Sequence, residues 1–277
     1  MAAYLGYKGK DGYQDFRERF LDQNAESSMT TQVSPASLIK TAMHGGANDR
    51  NTLARWLDDN LFDHATFTAL RRQDRPTVWI TASDINNNTP FLFTEDTFAA
   101  LCSDISQMKI AEAVGASAAF PIAFAPMVLR TPRTNCNYRR PAWIQRALDA
   151  QNPSIRLQAY ARALDSYQYN RKLDYVRLLD GGLTDNLGIT GLTLQRASAA
   201  TPYGPLSPRE AVRIRNFIFI VTDAGKHSEY EWSKTQIATH LGHVLLAASD
   251  TAIAAATRSG FDAVDLALNE WRHDLIR

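Results

Sequence analysis

The chain has 277 residues, of which 45% are hydrophobic and 21% are charged, so it can bury a substantial core as one large domain or two small ones. Thirty basic and 29 acidic residues leave a net charge of +1, which argues against a nucleic-acid partner. No run approaches the roughly 18 apolar residues of a membrane span, and the first residues lack the apolar core of a signal peptide. We therefore expect a protein without a transmembrane segment, either cytoplasmic or peripheral at a membrane.

The two cysteines carry the only sequence information on redox state. Cys102 and Cys136 lie in different sequence contexts and form no Cys-x-x-Cys pattern. This arrangement argues against a disulfide scaffold and against a zinc site. A reducing compartment is the expectation that follows.

The N-terminal part of the chain is predicted to form a peripheral layer of short helices. Apolar residues recur there at three- and four-residue spacing, for example Phe16 and Phe20, which places them on one helix face. The predicted helices cover residues 2–7, 15–21, 37–43 and 52–62, with a polar loop at 27–37.

Strands then alternate with helices, which is typical of an α/β fold with a mostly parallel sheet. The first two strands are close enough in sequence to form a hairpin. The predicted strands are residues 77–82, 91–94, 175–179 and 214–222, and the predicted helices are 97–114, 141–150, 155–166, 187–199, 232–258 and 261–276.

The strand at 175–179 leads to the residue that we single out first. Its apolar run ends at Asp180, followed by Gly181 and Gly182, as when a buried strand delivers a carboxylate to a sharp turn. Glycines there allow positive φ angles and a close approach of substrate or backbone. Reactive groups of open α/β sheets collect at this end of their strands. Asp-Gly is also a common turn dipeptide, so its sequence context has to decide between the two interpretations.

Three segments together provide that context. They read Ser-Asp-Ile-Asn-Asn-Asn-Thr-Pro-Phe at 83–91, Ala-Ser-Ala-Ala-Phe-Pro at 116–121 and Asp-Gly-Gly-Leu-Thr-Asp-Asn at 180–186. In this order and spacing the chain resembles the patatin-like phospholipase family, over roughly residues 2–223. The last two segments are each moderately specific, and the combination is much more so.

The resemblance implies a three-layer α/β/α sheet with helices on both faces, and a Ser-Asp dyad that cleaves acyl esters of lipids. Asp180 matches the dyad aspartate, supported by Gly181 and Gly182. The implied partner is a lipid or membrane-surface substrate, with no cofactor and no metal. The implied organisation is a single patatin-like domain, with a family core at residues 1–225 and helical C-terminal additions at 226–277.

The sequence departs from the family at the nucleophile. The family serine lies in a Gly-x-Ser-x-Gly elbow, and no such sequence occurs here; nor does a glycine-rich oxyanion loop. The helix that follows the elbow in the family reads much like residues 2–6. We therefore expect a fragment whose fold is incomplete at the N-terminus, inactive alone and prone to self-association. A non-catalytic lipid-binding or partner-binding remnant of the same fold is the alternative.

Other polar residues allow further interpretations. Ser117 is an alternative nucleophile, although its small-residue segment is better explained as packing beneath the site. Asp84 and the asparagines at 86–88 could contact substrate, but a polar turn closing a strand explains them better. Asp223 is a second strand-end acid. His240 and His243 share a helix face without a third ligand nearby, which argues against a metal site. The apolar face at 264–275 is interpreted as core rather than as a membrane anchor.

Overall fold

The computed structural model describes residues 1–23, 46–48, 52–72, 74–132, 136–151, 154–204, 206–214, 218, 220–221, 234 and 241–276. The chain divides into two compact units, Met1–Gly181 and Gly182–Arg277.

In its described residues the first unit combines short helices with six strands. The helices Gly12–Phe16 and Thr52–Leu57 each continue into a π-helical turn, at Arg17–Leu21 and at Asp58–Phe62. In chain order the elements are α1 (Ala2–Lys8), α2 (Gly12–Phe16), β1 (Gly46–Asn48), α3 (Thr52–Leu57), β2 (Thr81–Asp84), β3 (Thr89–Leu92), α4 (Glu95–Ala100), α5 (Ile110–Ser117), β4 (Ile122–Phe124), β5 (Met127–Arg130), α6 (Ala142–Asp149), α7 (Ile155–Tyr169) and β6 (Tyr175–Leu179), with 3₁₀ turns at Phe67–Leu70 and Ile105–Gln107.

Four of these strands form one sheet in the order β3-β2-β6-β5, and every neighbouring pair is antiparallel. The expectation of a mostly parallel sheet is therefore wrong for the described strands, in which β1 and β4 form a separate parallel pair. The connections explain the difference. The β2–β3 connection is too short for the crossover that parallel strands require. Helices α6 and α7 return the chain to the same end of the sheet at which β5 stops. Strand β6 therefore runs antiparallel to β5, with Tyr175 opposite Arg130. The result is a mixed α/β fold.

An aromatic cluster fills the core beside β3. The ring of Phe91 on β3 lies 6.4 Å from that of Phe98 on α4 and 6.2 Å from that of Tyr167 on α7. All three side chains are buried, and Phe93 adds a ring 5.1 Å from Phe91. Burial of these large aromatic side chains stabilises the region in proportion to the apolar area that is removed from water. Helices α4 and α7 are thereby held against the sheet.

The polar turn between β2 and β3 is built on Asp84, which is fully buried. Its carboxylate accepts the backbone N–H of Asn86 at 2.8 Å and of Asn87 at 3.2 Å, and also the Tyr167 hydroxyl at 2.8 Å. Burial first, and then the charge of Asp84, raise the pKa of Tyr167 well above its ordinary value. Asp84 and its asparagines therefore close a strand, as the turn interpretation predicted.

The single helix predicted over residues 97–114 is wrong, because the chain breaks between α4 and α5. Cys102 adopts a left-handed conformation with φ of 52°. Asp104 then accepts the backbone N–H of Ser106 at 2.8 Å and thereby offers the backbone an alternative to helical bonding. The periodicity of the apolar residues continues across this break, which is why it suggested one helix.

The two cysteines form a disulfide, which corrects the expectation drawn from their spacing. They are 34 residues apart in sequence, yet their Cα atoms lie 5.7 Å apart. Cys102 follows α4, and Cys136 lies in the segment that leads to α6. The Gln168 side chain of α7 donates to the Ala100 carbonyl at 2.7 Å and to Cys102 Sγ at 3.1 Å. Only the folding of these elements onto one another brings the two thiols together.

The second unit is helical in the residues described. Its elements are α8 (Gly182–Asp185), α9 (Thr190–Ser198), α10 (Pro208–Ala211) and α11 (Leu241–Ile276). Helices α8 and α9 pack against α11, where Val264 and Trp271 are buried as predicted. The two predicted C-terminal helices are thus one helix over their described part. The predicted strand at 214–222 is described only at 214, 218, 220 and 221, where no strand forms. Among the described residues, none of the helices combines the length and hydrophobicity needed to cross a bilayer.

Candidate functional site

The candidate site lies where β6 ends. Val176 and Leu178 are fully buried, whereas Tyr175 and Arg177 are exposed, so the strand anchors through one face only. Asp180 follows directly after the strand and is half-buried. The predicted strand and the aspartate at its end match this position, but the strand is buried on one face and not on both as its apolar run suggested.

Three hydrogen bonds hold the backbone around Asp180. The Asp180 N–H donates to the Ala119 carbonyl at 2.9 Å, and the Gly181 N–H donates to the Ser117 carbonyl at 2.9 Å. The Ser83 hydroxyl donates to the Asp180 carbonyl at 2.7 Å. Each of the three sequence segments that suggested the family contributes to this arrangement. The structure therefore brings together residues that are up to 97 positions apart.

The role of Ser117 follows from the same contacts. It is the last residue of α5, it is half-buried, and its carbonyl accepts the Gly181 N–H. Its small neighbours allow α5 to pack closely on α3, since a Cβ at Gly115 would lie 3.1 Å from Ala54 Cβ. The segment thus packs beside Asp180, in agreement with the interpretation that its small residues serve packing.

Gly181 is required by a close backbone approach. A Cβ at this position would lie 2.6 Å from the Thr81 carbonyl oxygen on β2, well inside van der Waals contact. The glycines of the described residues that adopt positive φ are Gly9 and Gly188, so the suggestion of positive φ at Gly181 and Gly182 is wrong. Gly182 is the first residue of α8. Gly181 therefore serves the turn through its missing side chain.

We predict that Gly181→Ala destabilises the protein by about 1–3 kcal/mol, because either Thr81 or the Asp180 turn must move to admit the methyl group. Urea denaturation at equilibrium measures this change. Gly242→Ala is the matched control, since a Cβ at Gly242 meets no atom within 4 Å and the residue lies in α11. Equal stability of the two variants would contradict the close approach at Gly181.

Two roles were missed by sequence reasoning. Ser83 was recognised only as the first residue of the 83–91 segment, and the bond from its hydroxyl to the Asp180 carbonyl could not be inferred from its neighbours. Asp185 is buried, and its carboxylate accepts the backbone N–H groups of Ile189 and Thr190, both at 3.0 Å, at the N-terminus of α9. An acidic residue shortly before the helix predicted from 187 is the signal that could have identified this role.

Another polar cluster lies on the π-helical turn after α3. Ligand atoms of Asp58, Asp59 and His64 lie within 4.8 Å of one another. Asp58 Oδ2 is already bound by Lys109 Nζ and by His64 Nδ1, each at 2.7 Å. Burial raises the pKa of the Asp58 carboxyl, but the bonds to Lys109 and His64 outweigh it and lower that pKa below its ordinary value. We interpret this cluster as an ion pair that joins α3 to the start of α5.

The remaining predicted candidates contribute no described geometry to the site. Asp223 and His240 lie outside the described residues. His243 lies on an exposed part of α11.

The comparisons with known proteins agree with the three-segment pattern. A model of the patatin-like phospholipase family matches residues 1–193, a stretch that includes Asp180 and all three segments. No curated protein and no solved structure gives a significant match.

Proposed function

Since the chain belongs to the patatin-like phospholipase family, a family of lipid acyl hydrolases, we propose that it hydrolyses lipid esters through a Ser-Asp dyad in which Asp180 is the base. The observation that carries the proposal is the arrangement around Asp180. Three hydrogen bonds from two other segments hold the backbone of Asp180 and Gly181 at a strand end. Such support is what a catalytic group needs in order to stay in a productive position.

The proposed chemistry follows from the properties of a serine and an aspartate. A hydroxyl becomes a good nucleophile when a neighbouring base takes its proton as it attacks the ester carbonyl. The tetrahedral intermediate carries a negative oxygen that backbone N–H groups would stabilise. Its collapse releases the alcohol, to which Asp180 returns the proton. Water activated by Asp180 then cleaves the acyl-serine ester and releases a fatty acid.

The nucleophile of this proposal is a serine in a Gly-x-Ser-x-Gly elbow, a sequence that residues 1–277 do not contain. The proposed substrate is a phospholipid or another lipid ester at a membrane surface. A peripheral association with a membrane surface would give access to such substrates.

The test is active-site labelling with a fluorophosphonate probe, followed by mass spectrometry of the labelled peptide. We propose that the elbow is encoded upstream of residue 1, and a chain that includes this segment is compared with residues 1–277 alone. We expect labelling of an elbow serine in the longer chain and no labelling of the 277-residue chain. Labelling of Ser117, abolished by Ser117→Ala, would overturn the proposal in favour of a hydrolase that uses this serine.

The second candidate function is lipid or partner binding without catalysis. It is favoured by the lack of both the elbow and a glycine-rich oxyanion loop in the sequence. This alternative would be supported if the longer chain neither reacted with the probe nor hydrolysed esters, but still co-sedimented with phospholipid vesicles.

A further inference from the structure

A groove of about 330 Å³ opens on the first unit, and its lining includes none of the residues that hold Asp180. This volume falls at the lower end of the range for small-molecule sites, which is roughly 300–1,000 Å³. The groove is formed by the 3₁₀ turns, the segment that leads into β2, and the start of α4. It has a charged rim and an apolar floor.

The floor consists of buried apolar side chains. Phe67, Phe93 and Ile105 are each at least nine-tenths buried in the protein, and all line the groove. The rings of Phe67 and Phe93 stack with their centres 6.4 Å apart, so the floor is largely aromatic. Leu70 and Val78 extend the apolar lining. An alkyl chain could lie here and be removed from water.

The rim is cationic. Three arginines, Arg71, Arg72 and Arg75, line the groove against a single lining carboxylate, that of Glu95. Asp74 does not line the groove but pairs with Arg72 and Arg75, so three cations face two paired carboxylates here. Guanidinium groups bind carboxylates with two parallel hydrogen bonds, so they suit an anionic head group.

The present partners of these arginines leave them available. Arg71 pairs with Glu95 at 2.7 Å, and Arg72 pairs with Asp74 at 3.3 Å, but all four side chains are at least half exposed, and such surface pairs contribute little. The side chain of Arg75 is only 16% exposed, and its nearest carboxylate, Asp74, lies 3.6 Å away. Arg75 Nη1 is buried with no hydrogen-bond partner among the described residues.

From this combination we propose that the groove binds a single-chain anionic amphiphile, namely a fatty carboxylate. The alkyl chain lies on the aromatic floor, and the carboxylate pairs with Arg71 and Arg72 at the rim. This binding site is separate from the proposed hydrolytic site and does not depend on Asp180.

Isothermal titration calorimetry with decanoate, kept below its micellar concentration, tests the proposal on the full chain. We expect saturable binding with one site, and a negative heat-capacity change from burial of the alkyl chain. Acetate and inorganic phosphate test the head group alone, and decanol tests the chain alone. Each of these is expected to bind at least about tenfold more weakly than decanoate.

Substitutions locate the site. Arg71→Gln combined with Arg72→Gln is expected to weaken decanoate binding by about tenfold or more. Thr77→Trp, at an exposed lining position, is expected to block the groove. The matched control is Arg17→Gln, because Arg17 is 77% exposed and does not line the groove. Thermal unfolding of each variant verifies that it is folded.

Three outcomes would overturn the proposal. They are unchanged decanoate binding in both groove variants, equal binding of inorganic phosphate, and equal binding of decanol. Binding is also measured in Asp180→Asn, where we expect no change. The groove can thus fail this test while the proposed hydrolase activity stands, and the reverse also holds.

Discussion

Asp180→Asn is expected to lower kcat for ester hydrolysis by about 10²- to 10⁴-fold, the range for loss of a general base. The amide has nearly the same shape as the carboxylate but cannot take the serine proton. The hydrogen bonds to Ser83, Ser117 and Ala119 involve backbone atoms of Asp180 and Gly181, so the substitution leaves them intact. The fold should therefore persist while the chemistry is lost. The effect is measured as hydrolysis of p-nitrophenyl butyrate and of a phospholipid by the chain that includes the proposed elbow segment.

Asp84→Asn separates this result from a general loss of stability. Asp84 is also an aspartate at a strand end, but its buried carboxylate holds the β2–β3 turn and the Tyr167 hydroxyl. We expect Asp84→Asn to lower the unfolding temperature, and to reduce activity only in proportion to the unfolded fraction. If Asp180→Asn keeps more than about a tenth of the activity, Asp180 is not the base.

Reduction of the Cys102–Cys136 disulfide is expected to lower the free energy of unfolding by about 3–4 kcal/mol, given a closed loop of about 34 residues. The loop contains α5 and the Ser117 and Ala119 carbonyls that hold the Asp180 turn. Its loosening should therefore reduce activity as well as stability. Urea denaturation with and without dithiothreitol measures the stability change.

Cys136→Ser provides the control for this second prediction. The variant should match the reduced protein, and dithiothreitol should then have no further effect on it. Equal unfolding midpoints for the oxidised protein and for Cys136→Ser would show that the disulfide does not stabilise the fold.

Local patterns in the sequence determined much of the architecture that positions the site. The strand before Asp180, the β2–β3 hairpin and the helices at 142–149 and 155–169 all agree with prediction to within a few residues. Each depends on residues close in sequence, such as the apolar run of β6 or the polar turn on Asp84. The three-segment pattern likewise identified the family through neighbouring residues.

Long-range contacts decided the rest. The antiparallel order of the sheet depends on where the chain re-enters it after α6 and α7, which apolar periodicity does not encode. The disulfide, the need for glycine at 181 and the bond from Ser83 to Asp180 arise between residues 34 to 100 positions apart in sequence. A strand pattern at 175–179 could thus predict that an aspartate ends the strand. Only the packing of β2 and α5 around that strand end decided what holds Asp180 in place, because those contacts exist only once the sheet is assembled.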